Sequence, residues 1–368
     1  MPVIRIRDIV PGRTETFYDG EFDVAFLVKR GDILVGMDGD FNCEPWAGEP
    51  ALLNQRVCMI APDESRYDKQ FLRYVLPGYL SAINAETPSV TVKHLSSRTV
   101  ADIPLPLPPL TEQRSIVAVI EKQFARLDVG IAALRRAQAN LKRYRAAVLK
   151  AACEGTLVAA EAMWPQIPLK KLIGGIGQGW SPKCEMNRDA LPDEWAIITT
   201  TAVQPMRYID NQGKPLRSTF EGRPHIEIKV GDFLMTRKGP RRRAGVACLV
   251  RTTRTRLMVC DTVYRFRCDE SRIAPEYLEV ALNSPSVIEA IDRQKAGISE
   301  SGVSLTHDKL GAVFIPLPPL AEQTQIVAEV ARRLSVIDQS EAAVNTNLQR
   351  TTGLRNSILQ MAFAGELI

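Results

Sequence analysis

The sequence has few of the side chains that build metal centres or disulfide frameworks. Its seven cysteines are an odd number without a Cys-x-x-Cys pair, and its three histidines, His94, His225 and His307, stand alone. Structural zinc sites need clustered Cys and His ligands, and a disulfide framework needs paired cysteines. The sequence therefore predicts no metal site and no disulfides, and we expect reduced, mostly buried thiols.

Long apolar runs are also missing. No stretch approaches the roughly 20 apolar residues that a membrane-spanning helix needs, and the first residues, from Met1 to Asp8, lack the apolar core of a signal peptide. Hydrophobic residues make up 45% of the chain and charged residues 24%, which is ordinary for a globular protein. We expect a cytoplasmic protein, and its 368 residues leave room for two domains.

The net charge of +5 hides two regions of opposite sign. Met1 to Pro106 holds 11 Lys and Arg against 15 Asp and Glu, a net charge of −4, whereas Met206 to Arg272 holds 16 against 7, a net charge of +9. Such asymmetry indicates nucleic-acid contact for the basic region. A basic face that is merely hydrated is the alternative.

The chain contains an internal repeat with a period of 210 residues. Residues 107–113 (LPPLTEQ) return as 317–323 (LPPLAEQ), and the register then holds without a gap, with 17 identities between residues 107–158 and 317–368. Looser matches precede each copy: the Gly-Asp pair at 31–32 returns at 231–232, and the Asp-Glu-Ser-Arg of 63–66 returns at 269–272. The repeat predicts variable, conserved, variable and conserved segments over residues 1–106, 107–158, 159–316 and 317–368.

The two conserved segments have the pattern of long helices, over about 111–153 and 321–363. Pro108 and Pro109 cannot continue a helix backwards, Thr111 suits an N-cap, and Gly155 and Gly365 suit the C-terminal stops. Between them apolar residues recur every three or four positions, which is typical of a coiled-coil seam. We expect each helix to bury its stripe against the other. The stripe consists of Ile116, Ile120, Phe124, Leu127, Ile131, Leu134, Leu141, Val148 and Ala152 in the first copy, and of Ile326, Val330, Leu334, Ile337, Val344, Leu348, Ile358 and Ala362 in the second.

Polar residues interrupt both stripes, at Gln138, Arg145, Glu341, Thr351 and Arg355. Polar seam residues can fix the register and orientation of paired helices. Ordinary imperfection at a wet seam explains them equally well.

The variable segments are rich in short β-branched runs punctuated by Gly and Pro, such as residues 196–201 and 244–250. This pattern is typical of an α+β domain with exposed loops.

In this order of elements the chain resembles the specificity subunits of type I restriction–modification systems over essentially its whole length. The paired Leu-Pro-Pro-Leu-x-Glu-Gln motifs, the two long helices and the Gly-Asp turns carry the resemblance, together with Gly179–Pro182, which is similar to the family's Gly-x-Ser-Pro loop. The resemblance implies an α+β fold with a pseudo-twofold internal repeat. Two target recognition domains would be separated by a long antiparallel two-helix coiled coil.

The resemblance also implies partners. It implies binding to double-stranded DNA with a bipartite recognition site, and assembly with two adenine methyltransferase subunits and with motor–nuclease restriction subunits. S-adenosylmethionine, ATP and Mg are then expected in the partner subunits, and no cofactor in this chain.

An enzyme with its own methyltransferase or nuclease activity is the competing class. An N6-adenine methyltransferase needs an Asn/Asp-Pro-Pro-aromatic loop, whereas every Pro-Pro pair here lies within Leu-Pro-Pro-Leu. The phosphate loop of a motor ATPase is missing, and no spacing marks a metal-dependent nuclease. We therefore expect a non-catalytic recognition subunit.

The first variable segment departs from the second in length. When Ile4 is aligned to Ile198, residues 164–194 have no counterpart before Ile4. This departure and the acidic balance of the first segment support an alternative: a degenerate specificity subunit that binds methyltransferase but reads only one half-site.

DNA contact is predicted first for the basic loop 237–243, which lies between two apolar runs and so suits a hairpin. Clustered arginines can bind phosphates or guanine edges; a hydrated loop is the alternative. Weaker candidates are Trp180, Ser181 and Lys183, and in the first segment Asn42, which could read adenine beside Asp38 and Asp40. The basic candidates are Arg237, Lys238, Arg241, Arg242 and Arg243.

The exposed faces of the helices are predicted to bind methyltransferase subunits. The candidate residues on the first helix are Arg135, Arg136, Lys142 and Arg143.

Overall fold

The structure, a computed structural model, describes residues 1–87, 92–158, 163–185, 188–297 and 299–367. The chain forms two compact units. Unit 1 consists of Met1–Arg135 with Asn345–Ile368, and unit 2 consists of Arg136–Val344. Each unit mixes helices with short strands, so the prediction of a mixed α and β fold is confirmed. The four-segment division drawn from the repeat stays a prediction.

Unit 1 builds two three-stranded sheets, with strand orders β1-β5-β2 and β4-β3-β6. The second sheet packs its central strand, which is buried along its length, against helix α2. The elements are β1 (Val3–Ile4), α1 (Ile6–Ile9), β2 (Leu27–Val28), β3 (Ile33–Gly36), β4 (Cys43–Pro45), β5 (Ala51–Leu53), β6 (Val57–Ile60), α2 (Lys69–Glu86) and α3 (Ser97–Ala101).

Unit 2 repeats this arrangement and adds strands to it. Its two main sheets have the orders β12-β9-β16 and β15-β13-β17-β8. The elements are β7 (Gln166–Pro168), β8 (Gly177–Gln178), β9 (Ala196–Ile198), β10 (Val203–Gln204), β11 (Arg207–Tyr208), β12 (Gly213–Pro215), β13 (Phe233–Thr236), β14 (Lys238–Gly239), β15 (Ala247–Leu249), β16 (Leu257–Met258), β17 (Val263–Phe266), α5 (Pro275–Leu282), α6 (Pro285–Gln294), β18 (Val303–Ser304), α7 (His307–Gly311) and β19 (Phe314–Pro316).

The two conserved segments form helices of 44 residues each, α4 (Leu110–Cys153) and α8 (Leu320–Phe363). Gly155 and Gly365 follow their ends with φ of +74° and +77°, as the sequence predicts for C-terminal stops. Thr111 is not the N-cap, because the helix already begins at Leu110. The carbonyl of Pro109 accepts the first backbone hydrogen bonds of the helix. Among the helices of the described residues, none is both long and apolar enough to cross a membrane.

The Gly-Asp turn is built in the same way in both units. In unit 1 the Asp32 carboxylate accepts a hydrogen bond from the Lys29 amide at 2.8 Å, and Asp232 accepts one from the Lys229 amide at 2.8 Å in unit 2. The intervening Gly31 and Gly231 have φ of +89° and +88°, where a side chain would be strained. Each turn leads into the central strand of a sheet, β3 or β13.

The register of the strands also supports the alignment of Ile4 with Ile198. Val3 and Ile4 pair in parallel with Leu52 and Leu53, and strand β9 pairs in parallel with β16 in the same way. Residues 163–178 supply β7 and β8 to unit 2, and among the described residues of unit 1 no strand takes their places.

The glutamine of each Leu-Pro-Pro-Leu-x-Glu-Gln motif is fully buried and joins a long helix to its α+β domain. The side-chain oxygen of Gln113 accepts a hydrogen bond from the Asp68 amide at 2.7 Å, and its side-chain nitrogen donates to the carbonyls of Arg66 and Pro108, both at 2.8 Å. Pro108-Pro109 therefore bends the chain so that one amide side chain can hold three backbone groups.

Gln323 repeats this arrangement in unit 2. Its side-chain oxygen accepts from the Ala274 amide at 2.7 Å, and its nitrogen donates to the carbonyls of Arg272 at 3.2 Å and Pro318 at 2.8 Å. Residues 66 and 272 both belong to the repeated Asp-Glu-Ser-Arg segment. Two motifs that lie far apart in the sequence are thus the two sides of one joint.

Within each unit α4 and α8 contact each other with opposite chain directions. In unit 1, Ile116, Val117 and Ile120 cluster with Ala362 near the end of α8. In unit 2, Val148, Leu149 and Ala152 cluster with residues near the start of α8, namely Ile326, Val330 and Ile337.

Three of the polar seam residues, Arg145, Glu341 and Arg355, take part in ion pairs between the helices. Arg145 pairs with Asp338, and with Glu341 at 3.1 Å, in unit 2; Arg355 pairs with Asp128 in unit 1. Asp128 and Asp338 are repeat equivalents, as are Arg145 and Arg355, so the same ion pair occurs once in each unit. Burial lowers the pKa of Arg145, but the two carboxylates outweigh that effect and raise it overall.

Candidate nucleic-acid interface

The predicted basic loop lies in the connection between β13 and β15, which pair antiparallel from Phe233–Leu249 to Met235–Ala247. Thr236 closes the connection from inside: its buried hydroxyl donates to the Arg243 carbonyl and accepts from the Val246 amide at 3.1 Å. The hairpin expected from the sequence is therefore present, with a tightly closed base.

Arg237 is held at that base. Its Nε donates to the Asp261 carbonyl at 2.6 Å, and its guanidinium carbon lies 5.5 Å from the centroid of the Tyr264 ring. Its own amide donates to the Thr262 carbonyl at 2.9 Å. Arg237 therefore joins the loop to the turn before β17, in addition to its predicted role in DNA contact.

Arg241 and Arg243 hold the two sides of the loop tip. Arg241 forms ion pairs with Asp292 at 2.7 Å and Glu300 at 3.3 Å. Arg243 donates to the carbonyls of Thr200 and Val203, both at 2.6 Å. Burial and the charge of the neighbouring Arg242 lower the pKa of Arg243. Replacing Arg241 and Arg243 would loosen the loop as well as remove charge. A variant in which Arg241, Arg242 and Arg243 are all changed to Ala therefore cannot separate DNA contact from stabilisation of the loop.

Lys238 and Arg242 are the cations of the loop that point outward. Both are exposed, and no hydrogen bond or ion pair from the described residues reaches either side chain. Lys238 stands in β14, whose pairing with β18 fixes its backbone. The cluster that looks uniform in sequence thus divides into three anchors and two free cations.

The predicted segment 179–183 packs beside the same turn. Trp180 donates its amide to the Val259 carbonyl at 3.1 Å, and a Cβ on Gly179 would lie 2.0 Å from that oxygen, so only glycine fits there. Since Arg237 binds residues 261 and 262, the turn 259–262 brings the two predicted segments together. Ser181 and Lys183 are exposed on this segment.

Arg223 joins the site although the sequence analysis did not single it out. Its guanidinium lies 3.7 Å from the centroid of the Trp180 ring, which also meets Phe220 edge-on at 5.6 Å. Arginine stacked on tryptophan keeps its charge exposed while its plane is fixed. No sequence spacing links positions 180 and 223, because strand pairing across the domain creates the contact.

The candidate in unit 1, Asn42, lies at the end of the loop between β3 and β4. Its carbonyl accepts a hydrogen bond from the Gly36 amide at 2.8 Å, and its side chain is half-buried. The roles predicted for the individual site residues stay predictions.

Residues 1–131 match the family described as "Type I restriction modification DNA specificity domain". The Type I restriction enzyme EcoBI specificity subunit of Escherichia coli is 35% identical over 388 residues, covering 100% of this chain and 80% of that protein. The chain belongs to the type I restriction specificity subunits. The StySPI specificity subunit of Salmonella potsdam is 25% identical over 395 residues, covering 100% of this chain and 82% of that protein.

Two solved structures share the fold of this specificity subunit. One, described as "Structural basis underlying complex assembly and conformational transition of the type I R-M system", superimposes with a TM-score of 0.70 at 19% identity and covers 92% of this chain and 83% of that one. The HsdS subunit from Thermoanaerobacter tengcongensis superimposes with a TM-score of 0.51 at 17% identity, covering 92% and 82%. The resemblance drawn from the repeated motifs is confirmed, and the family is one of DNA recognition.

The specificity subunit exposes the basic side chains predicted to bind its partners. Arg135, Arg136, Lys142 and Arg143 all face solvent on α4. Arg143 donates to the side chain of Asn140, one turn earlier on the same helix. In the part of the chain that the structure describes, no group of three His, Cys, Asp or Glu side chains is placed to hold a metal ion.

Proposed function

We propose that this specificity subunit reads a bipartite sequence in double-stranded DNA, one half with each unit, for partner subunits that methylate and cleave. The repeated joint and turn carry the proposal, because both units hold a loop between antiparallel strands on the same scaffold. A chain with two such units imitates the symmetric dimers that bind spaced half-sites.

In unit 2 the exposed cations are the proposed DNA contacts. Lys238, Arg242 and Lys183 are exposed, and Arg223 presents a fixed guanidinium beside Trp180. Phosphate contacts would set position and affinity, whereas an arginine directed at a guanine edge would give sequence preference. The three anchoring arginines keep this surface in shape.

The two long helices serve as the scaffold in this proposal. They form an antiparallel coiled coil that separates the two target recognition domains, and Arg135, Arg136, Lys142 and Arg143 help to dock two adenine methyltransferase subunits. Motor–nuclease subunits complete the restriction complex. S-adenosylmethionine, ATP and Mg act in those partners, and this chain is non-catalytic without a cofactor of its own. Deleting residues from Leu317 onward should abolish methyltransferase assembly, measured by co-purification.

A genome-wide methylation profile tests the function. The chain is expressed with its methyltransferase partner in a host without methylation of its own, and adenine methylation is mapped. We expect one motif made of two short halves with a fixed gap. A host that expresses the methyltransferase alone is the control. A map without any split motif would contradict the proposal, and a motif with a single half would support the degenerate alternative.

A further inference from the structure

The loop between β3 and β4 in unit 1 has the same backbone frame as the basic loop of unit 2. The Met37 amide donates to the Arg56 carbonyl at 3.0 Å, and the Met37 carbonyl accepts from the Leu95 amide at 2.7 Å. Arg237 makes the same two bonds, with Thr262 at 2.9 Å and Leu305 at 2.8 Å. The residue that follows in each unit is therefore structurally equivalent.

Within this shared frame the side chains differ completely. Asp38 bridges His94 in unit 1, where Lys238 pairs with Ser304 in unit 2. Arg56 stands where unit 2 has Thr262. Three side chains, Asp38, Arg56 and His94, thus replace Lys238, Thr262 and Ser304, while the two backbone hydrogen bonds of the preceding residue are kept. A fixed backbone with exchanged side chains is what two loops need in order to read different bases.

Asp38 is held by the two basic side chains beside it. One carboxylate oxygen, Oδ1, lies 2.6 Å from Nδ1 of His94 and 3.4 Å from the guanidinium of Arg56. No hydrogen bond from the described residues reaches Oδ2, and the side chain is 20% exposed against 55% for Arg56 and 62% for His94. Arg56 offsets the negative charge of Asp38, which reduces its repulsion of phosphate.

The loop that carries Asp38 is also rigid. The Gly39 amide donates to the Lys93 carbonyl at 3.0 Å, and the Asn84 side chain donates to the Gly39 carbonyl at 2.5 Å. Lys93 in turn donates to the Asn84 side-chain oxygen at 3.1 Å. Gly39 has φ of +76°, which glycine adopts without strain. A side chain on such a loop is already oriented before a ligand arrives.

We propose that Asp38 is the specificity-determining residue of unit 1 and that its free oxygen accepts a hydrogen bond from the exocyclic amino group of a base in the major groove. Cytosine N4 and adenine N6 are the two amino groups exposed there, and carboxylates pair with the former. Arg56 and His94 are positioning residues that hold the other oxygen. The inference rests on the proposed function, because it assumes that the equivalent loops face DNA.

A randomised half-site library tests the proposal. The subunit is assembled with its methyltransferase partner, and base frequencies are read from the methylated molecules at every position. The wild type should require cytosine or adenine at one position of one half-site, and Asp38→Ala should relax that requirement about tenfold. Asp38→Lys, which installs the unit 2 residue, should select guanine there instead. Asp40→Ala removes a neighbouring exposed carboxylate and should change no base frequency.

Removal of the exocyclic amino group from one base of the DNA identifies the contact. 2-Pyrimidinone in place of cytosine, or purine in place of adenine, should weaken binding of the wild type about tenfold and leave binding of Asp38→Ala unchanged. Arg56→Thr and His94→Ser should relax preference at the same position only. Every variant should keep the wild-type base preference at the second half-site, which excludes a general loss of folding.

These measurements distinguish a wrong assignment of Asp38 from a wrong function of the subunit. If Asp38→Ala and Asp38→Lys both keep the wild-type base frequencies, the inference is overturned and the proposed function stands. If the wild-type complex itself selects no split sequence, the proposed function falls first.

Discussion

At the scale of single residues, the amino-acid type alone does not determine which arginine side chains are exposed and available to DNA. Arg241, Arg242 and Arg243 are consecutive, yet the first binds Asp292 and the third binds backbone carbonyls some 40 residues earlier. Arg242 lies between them and faces solvent. The partners of an arginine, more than its charge, determine whether a substitution affects binding or folding.

Arg242→Ala and Arg243→Ala should therefore act on different quantities. If Arg242 contacts phosphate, Arg242→Ala should weaken DNA binding of the assembled complex on every sequence and flatten the salt dependence by about one unit of slope, with stability changed by less than about 0.5 kcal/mol. Arg243→Ala should leave the carbonyls of Thr200 and Val203 without their donor and destabilise by about 1–3 kcal/mol. Salt titrations and urea unfolding measure the two effects. Equal effects of the two variants on both quantities would contradict this division.

The half-buried thiol of Cys43 and the buried thiol of Cys248 should make stability depend on alkaline pH. Burial raises the pKa of Cys43 and of Cys248 to about 12, from 9.0 in the unfolded chain. The folded state therefore favours the neutral thiol. Its contribution to stability is fully present below pH 9 and is lost as the pH rises from there towards 12.

Urea unfolding at pH 8 and pH 10 measures this loss. The double variant Cys43→Ala, Cys248→Ala should show a smaller decrease between the two pH values than the wild type. Thiol reagents at pH 8 should label Cys248 only after urea is added. Rapid labelling of Cys248 in the folded protein would show that its side chain is not buried.

At the scale of elements, the sequence predicted more than it did for side chains. The glycines that follow the two helix ends, Gly155 and Gly365, and the alignment of Ile4 with Ile198 are predictable from local residue types and the repeat. The joint at Gln113 and the contact of Arg223 with Trp180 were not predictable, because their partners are set by tertiary packing. In retrospect the sequence contains a signal for this joint, because both copies of the motif keep a glutamine shortly after the two prolines.

Replacing either joint glutamine should be strongly destabilising. Gln113→Leu keeps the approximate volume but leaves one amide and two carbonyls without partners inside the protein. We expect a loss of about 2–4 kcal/mol, measured by urea unfolding. Gln323→Leu should behave alike. Glu112→Ala, at the exposed neighbouring position, is the control and should change stability by less than about 0.5 kcal/mol.

The ion pair that occurs once in each unit tests whether the polar seam residues fix the register of the two helices or are ordinary imperfections of the seam. Arg355→Asp should place a second carboxylate beside that of Asp128 and destabilise unit 1. We expect a loss of only about 0.5–1 kcal/mol, because the pair is largely exposed. The reversed pair, Arg355→Asp with Asp128→Arg, should recover most of that loss. A double-mutant cycle measures the coupling. Coupling indistinguishable from zero would favour ordinary imperfection.

At the scale of the whole molecule, unit 1 is discontinuous and unit 2 is not. Residues 345–368 belong to unit 1, where Ala362 and Phe363 pack with the cluster that includes Phe71 and Ile120. Unit 2 uses only Arg136–Val344. Each long helix thus belongs to both units, which is why the two units do not coincide with the four segments of the repeat.

A chain that stops after Val344 should keep unit 2 and lose the order of unit 1. Limited proteolysis should cut within residues 1–106 of this variant while a fragment that contains unit 2 stays protected. Alanine in place of both Phe363 and Phe71 should reproduce part of the effect in the full chain, because these rings meet edge-on at 5.6 Å. Equal protection of both units in the truncated chain would contradict the discontinuous assembly.

The discontinuity of unit 1 also sets an order of events during synthesis. The ribosome delivers residues 1–135 first, yet their core lacks Ala362 and Phe363 until the end of α8 has been made. Unit 2 needs no residue beyond Val344 and is therefore made in full before unit 1 is. Unit 1 stays incomplete, and so exposed to chaperones and proteases, until the end of α8 has emerged from the ribosome.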